Sequence, residues 1–278
     1  MMKSLIIMTG KPFFIVNHLL PSLYNVGNYK GDVLIVDYGE YSVEVKFGIK
    51  QNYPKVFFES ATKKYQSFTA DRFRAFAKIL KRIRHRYGVI MHMDDDMEVY
   101  GDISPLLLMG ENKLCFVEEP RLNDNKIVRK WCTIDSLPIE YWSAIKYERV
   151  LNAALFLGPS EDMYHLIRIV SEYIEHDSRF GIDQLILNAL VYYHDIPHRV
   201  VGREWDYHFY DGFEKIRDMP YFMKGNVYHP IYILHYAGPQ PFKKGTDRDT
   251  QTKKKNWLFP EDPKPVQEVK PKRNWLFG

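Results

Sequence analysis

Of 278 residues only two are cysteine, Cys115 and Cys132. Two thiols cannot build the disulfide framework of a small secreted domain, and this usage suits a reducing, cytosolic setting. No run approaches the about 18 apolar residues that a membrane-spanning helix needs. Residues 1–8 carry one lysine and a short apolar run with no small-residue cleavage site behind it. They read as a first strand rather than a signal peptide. An excess of basic charge is also lacking over most of the chain. The formal net charge is +4, yet residues 243–278 hold ten Lys/Arg against five Asp/Glu, which leaves −1 for residues 1–242. A nucleic-acid-binding protein needs basic residues spread over its folded face, so that class is set aside.

Apolar residues, by contrast, make up 45% of the chain and aromatics 15%. The first figure allows a sizeable core, and the second provides rings for that core and for stacking on bases or sugars. Short apolar runs alternate with helical periodicity over the first hundred residues. Strands are expected at Ser4–Thr9, Asp32–Val36, Lys55–Glu59 and Val89–Met93. A helix is expected from Phe13 to Leu23, and a second from about Asp71 to Arg86, with Phe73, Phe76, Ala77, Leu80 and Ile83 on one face. Val43–Phe47 fits an edge strand or a short helix. Later strands are expected at Leu114–Glu118, Leu151–Leu157 and Ile231–Leu234, with a segment from Pro197 to Val201 leading to Trp205. A turn is expected at Asn123–Asn125, and the Trp/Tyr-rich stretch 127–147 resists assignment. Helices are expected from Ser160 to about His176 and from Gly181 onward. This alternation predicts an α/β fold, Rossmann-like, with a mostly parallel sheet flanked by helices.

The strand at Val89–Met93 runs straight into Asp94, Asp95 and Asp96. Adjacent carboxylates repel and are costly to bury unless a cation lies between them. Hard divalent ions such as Mg²⁺ and Mn²⁺ take oxygen ligands and leave positions for substrate phosphates. The carboxyl end of a buried strand is also where open α/β sheets bind ligands. Asp94 and Asp96 match the Asp-x-Asp of metal-dependent nucleotide-sugar glycosyltransferases; a solvated acidic turn is the alternative. Thr9 and Gly10 end the first strand near the same place, and Asp37 and Tyr38 end the second. Tyr38 offers a ring for a base and Asp37 a carboxylate for its edge, against an ordinary turn.

Four segments in order resemble glycosyltransferase family eight, whose members have the GT-A fold and retain anomeric configuration. They are the acidic segment 93–103, Leu151-Asn-Ala-Ala-Leu-Phe-Leu, Gly181-Ile-Asp-Gln-Leu-Ile-Leu-Asn, and His235-Tyr-Ala-Gly-Pro-Gln-Pro-Phe. The resemblance implies that Asp94, Asp96 and His235 hold Mn²⁺ or Mg²⁺, with Asp95 and Gly238 beside the UDP-sugar donor. It implies further that Asn152, Asp183 and Gln184 line the donor sugar, although Asp183 and Gln184 in a helix's first turn fit capping as well. Arg74 or Lys78 would reach the phosphates, unless they belong to a solvated basic face. The family's lysine before Pro-Trp is absent, and Lys243 or Lys244 would stand in for it. The family's Asp-x-x-Tyr on the first strand is absent too.

The expected organisation is a GT-A domain over residues 1–242 and a basic, aromatic tail over 243–278. The tail repeats Lys255-Asn-Trp-Leu-Phe as Arg273-Asn-Trp-Leu-Phe. Basic residues beside Trp-Leu-Phe suit attachment to an anionic membrane surface, with docking on the body or on a protein partner as alternatives. The expected activity is transfer of glucose or galactose from a UDP-sugar to a hydroxyl of a glycan or glycolipid. The alternatives are an inverting GT-A enzyme, a non-catalytic carbohydrate- or partner-binding protein of the same fold, and a metal-dependent nucleotidyltransferase.

Overall fold

A computed structural model describes residues 3–65, 68–119, 140, 144–145, 148–174 and 181–236. Among these, seven strands form one sheet in the order β3-β2-β1-β4-β7-β6-β8. The strands are β1 (Ser4–Thr9), β2 (Asp32–Asp37), β3 (Val56–Ser60), β4 (Val89–Met93), β6 (Leu114–Glu118), β7 (Leu151–Pro159) and β8 (His198–Val201). β1 pairs in parallel with β2 and β4, β2 with β3, and β6 with β8. β7 alone runs against its neighbours β4 and β6. The expected mostly parallel α/β sheet is the one observed.

Strand after strand is apolar on both faces, as a sheet covered on two sides requires. Leu5, Ile7, Leu34, Val36, Ile90, Phe116 and Phe156 pack against helices Phe68–Ile83, Ser160–Ile174 and Ile182–Tyr193. Ile6, Met8, Val33, Ile35, Met91, Met93 and Leu155 face the other way. There they meet the helical segment 12–25, helix Val43–Asn52 and helix Ser104–Gly110. In the first layer Phe73 and Phe116 both stack on Phe156, with centroids 6.0 and 5.9 Å away.

Val43–Asn52 resolves as a helix, not an edge strand, because the Ser42 side chain accepts from the Val45 amide at 3.3 Å and caps it. Segment 12–25 contains a π turn at Ile15–Leu19. The last strand lies at Ile233–His235, later than the expected 231–234.

A small second sheet, β5-β13-β9, is less apparent in the sequence. β13 (Ile233–His235) pairs antiparallel with β5 (Met97–Val99) and parallel with β9 (Tyr207–His208). Trp205 stacks on Tyr232 at 4.5 Å, and the Tyr100 amide donates to Tyr232 O at 2.8 Å. A Cβ on Gly101 would lie 2.4 Å from the Tyr232 ring, so the glycine permits this close approach. A third sheet is formed by β10 (Glu214–Ile216), β11 (Met219–Lys224) and β12 (Val227–Pro230). The expected turn at 123–125, most of 127–147, Gly238, Lys243, Lys244 and the tail lie outside the described residues.

Candidate active site

The acidic segment sits where β4 ends, in the turn between β4 and β5. Pairing of β5 with β13 sets His235 opposite Met97. The Tyr236 amide donates to Asp96 O at 2.9 Å, closing that register. Residues 94–96 and 235, far apart in the chain, therefore meet. His235 Nε2 lies 3.2 Å from Asp96 Oδ1. One ligand atom each from Asp94, Asp96 and His235 falls within a 4.8 Å span. His235 Nδ1 lies 3.0 Å from Asp206 Oδ1.

Converging carboxylates need positive charge, and the chain supplies some of it. Burial opposes ionisation of Asp94, but the Arg72 guanidinium, with help from His92, outweighs this and holds its pKa well below the usual range. Burial likewise opposes the charge of His235, but Asp96 and then Asp206 raise its pKa well above the usual value. Asp95 goes the other way: burial, then the charge of Asp96, pushes its pKa up to about 7. Its Oδ2 accepts from the Lys11 amide at 2.8 Å. A Cβ on Gly10 would stand 2.2 Å from Asp95 Cγ, so only glycine lets β1's exit loop lie against the acids. Two carboxylates and an imidazole, gathered where charge needs neutralising, fit a hard or borderline divalent cation such as Mn²⁺ or Mg²⁺.

The basic residue that reaches this centre from helix Phe68–Ile83 is Arg72. It pairs with Asp94, donates to Asp183 Oδ2 at 2.7 Å and touches Ala153 O at 3.3 Å. Arg72 is 4% exposed and Asp183 2%, so this fork operates out of water. Arg74, expected at the phosphates, instead binds both oxygens of Asp71, at 3.1 and 3.0 Å. Lys78 is exposed on the helix's outer side.

β7 runs backwards, so its first residues lie beside the carboxyl end of β4, and the Asp94 amide donates to Ala154 O at 2.9 Å. Asn152 enters the site there. Its Nδ2 donates to Glu119 Oε2 at 3.1 Å, and its Oδ1 accepts from the Ala154 amide at 2.6 Å. His208 Nε2 lies 3.1 Å from the same Glu119 oxygen. Helix Ile182–Tyr193 starts from Gly181 at φ +79°, a left-handed conformation that a side chain would strain. Asp183 then turns to Arg72 rather than capping the helix. Gln184 Oε1 faces the Ala153 amide at 3.4 Å, while its buried Nε2 has no hydrogen-bond partner among the described residues. A buried donor without a partner is rare and fits a ligand group.

Thr9 is buried at the end of β1. Asp37 serves its own turn: Oδ1 accepts from the Gly39 and Glu40 amides at 2.8 Å each, and Oδ2 pairs with Lys46 at 2.6 Å. The Tyr38 ring meets Phe68 edge-on at 5.5 Å. The metal-ligand candidates and Asn152, Asp183 and Gln184 are thus drawn together, whereas Asp37 and Arg74 are occupied locally. Arg72, Asp206, His208, Glu119 and His92 complete the centre and were not picked out by their place in the sequence. His92 alone carried a signal, as a histidine within an apolar strand two residues before Asp94.

Solved glycosyltransferases share this architecture. The galactosyltransferase LgtC, in complex with donor and acceptor sugar analogues, matches with a TM-score of 0.56 and 14% identity over 84% of this chain and 87% of LgtC. An active-site mutant of LgtC gives 0.56 and 13% over 84% of this chain and 88% of that one. The apo structure of the bifunctional glycosyltransferase WbbM gives 0.57 and 17% over 86% of this chain and 46% of that one. No protein-family model and no curated relative matches the sequence. Likeness at these identities speaks for fold alone, and it establishes that the chain has the GT-A-type α/β fold of these glycosyltransferases.

Proposed function

We propose that this protein is a glycosyltransferase that moves a hexose, glucose or galactose, from a UDP-sugar to a hydroxyl of a glycan or glycolipid, with retention of configuration. The observation that carries this reading is the meeting of Asp94, Asp96 and His235 at the carboxyl edge of the sheet. These residues would hold Mn²⁺ or Mg²⁺. When bound, the cation would neutralise the donor's diphosphate and favour its departure. Asp95, Thr9 and Gly10 line the same edge, and Arg72 keeps Asp94 and Asp183 in fixed orientation. The Nε2–H of Gln184, buried without a partner among the described residues, would donate to a sugar hydroxyl. In a retaining reaction the acceptor proton passes to the leaving diphosphate, so no strong protein base is required.

The test is a panel of nucleotide sugars incubated with Mn²⁺, wild type against Asp96→Ala. UDP-glucose or UDP-galactose should be turned over, and the variant should lose at least 10²-fold in rate, in line with loss of electrostatic stabilisation at a leaving group. If wild type neither binds nor hydrolyses any nucleotide sugar, the reading is wrong. NMR of the glycoside product then reports its anomeric configuration; an inverted linkage would overturn retention.

The proposed arrangement is a transferase domain over 1–242 and a tail over 243–278 that attaches the enzyme to the cytoplasmic face of a membrane. No helix among the described residues is long and apolar enough to cross a membrane.

A further inference from the structure

A neutral imidazole binds a cation only through the nitrogen that carries no proton, so a histidine ligand must be held in one tautomer. His235 turns its two nitrogens to different carboxylates. Nε2 faces Asp96 and the proposed cation position, and Nδ1 faces Asp206 Oδ1 at 3.0 Å. An ionised carboxylate can only accept. Asp206 therefore holds a proton on Nδ1, so that the nitrogen given up to a cation is Nε2.

We propose that Asp206 is a positioning residue for metal binding, which sets the tautomer and ring orientation of His235; this rests on the metal reading above. Four observations support it. Asp206 is 3% exposed and His235 6%, so water does not compete for Nδ1. Backbone register fixes the two residues relative to each other: β9 pairs with β13, His208 opposite His235, and Asp206 immediately precedes β9. Behind Asp206, its amide donates to Arg203 O at 3.1 Å, and Trp205 is stacked on Tyr232. Finally, Asp206 Oδ2 is buried with no hydrogen-bond partner among the described residues, so His235 is the hydrogen-bonding group the carboxylate serves most directly. Partners of this kind orient metal-binding imidazoles and strengthen them as donors, and their removal costs about 10- to 100-fold in metal affinity.

The experiment titrates Mn²⁺ into full-length protein and follows the free-ion EPR signal, for wild type, Asp206→Leu, Asp206→Asn and His235→Gln. Asp206→Leu keeps the branched shape of the side chain, in a larger volume, but removes the acceptor. It should raise the Mn²⁺ Kd by about 10- to 100-fold while metal-free circular dichroism and melting stay close to wild type. Asp206→Asn can still accept from Nδ1–H and should fall between the two. An Asp206→Leu Kd within twofold of wild type would overturn the proposal. Should Asp206→Leu not fold, ¹⁵N NMR of the wild-type His235 ring with Mg²⁺ decides the matter. A protonated Nδ1 and bare Nε2 are expected, and the reverse tautomer overturns it. If His235→Gln binds Mn²⁺ like wild type, or wild type does not bind it, the metal reading itself fails and takes this proposal with it. A failure confined to Asp206→Leu leaves that reading standing.

Discussion

Arg72 is the side chain that ties the centre together, and it is also the one hardest to see in advance. In the sequence it is one of five basic residues on helix Phe68–Ile83, and basic residues on amphipathic helices are mostly solvated. Nothing in the local pattern separates Arg72, 4% exposed, from Lys78 on the open side. Tertiary placement decides it, since only Arg72 points between β4 and the start of helix Ile182–Tyr193. Replacing it by leucine would leave Asp94 and Asp183 without their shared cation. Loss of one partner from a buried ion pair costs about 3–5 kcal/mol. Arg72→Leu should lower the free energy of unfolding by about that much, measured by urea titration of metal-free protein. Asp37 yields a second prediction. Burial opposes its charge, but Lys46 and the Gly39 and Glu40 amides prevail and lower its pKa below 3.8. A lowered carboxylate contributes stability above its unfolded pKa and loses it as the pH falls through the folded one. Asp37→Asn should thus be less stable than wild type at pH 7, and the gap should close as the pH drops below 3.8. Denaturant midpoints across a pH series would show this; a constant gap would contradict it.

Elements were legible in proportion to their length. The strands of the main sheet announce themselves as apolar runs, and helix Phe68–Ile83 by its phenylalanine stripe. Met97–Val99 and Tyr207–His208 are too short for periodicity to register, so the small sheet that carries His235 could not be read from pattern. The metal-ligand candidates were still found, because charge clustering and motif order survive where periodicity fails. Asn188 belongs to this scale, since it fastens a helix to a strand. Its Oδ1 accepts from the Leu151 amide at 2.7 Å, and its Nδ2 donates to Leu151 O at 2.8 Å. Leucine at 188 would leave both main-chain groups of Leu151 unpaired in the core, at about 1–3 kcal/mol each. Asn188→Leu should therefore lose about 2–6 kcal/mol of stability. Because Asn152 is the next residue of β7, donor turnover should fall more steeply than stability alone dictates, by comparison with a core variant of equal stability.

For the whole molecule, the sequence separates a nearly neutral body from a basic tail, and that division leads to a prediction about location. Removal of residues 250–278 should leave nucleotide-sugar turnover in solution within about twofold, while co-sedimentation with phosphatidylserine vesicles falls by about 1 kcal/mol per basic residue lost from the surface. Equal sedimentation of the truncated and intact proteins would eliminate the membrane role.

The small sheet also bears on how the protein is made. Its three strands come from residues 97–99, 207–208 and 233–235. A nascent chain can thus complete all seven strands of the large sheet, the last ending at Val201, while the imidazole of His235 is still inside the ribosome tunnel. A chain cut between Val201 and His235 would therefore carry every described strand of the large sheet and lack the imidazole of the candidate metal site.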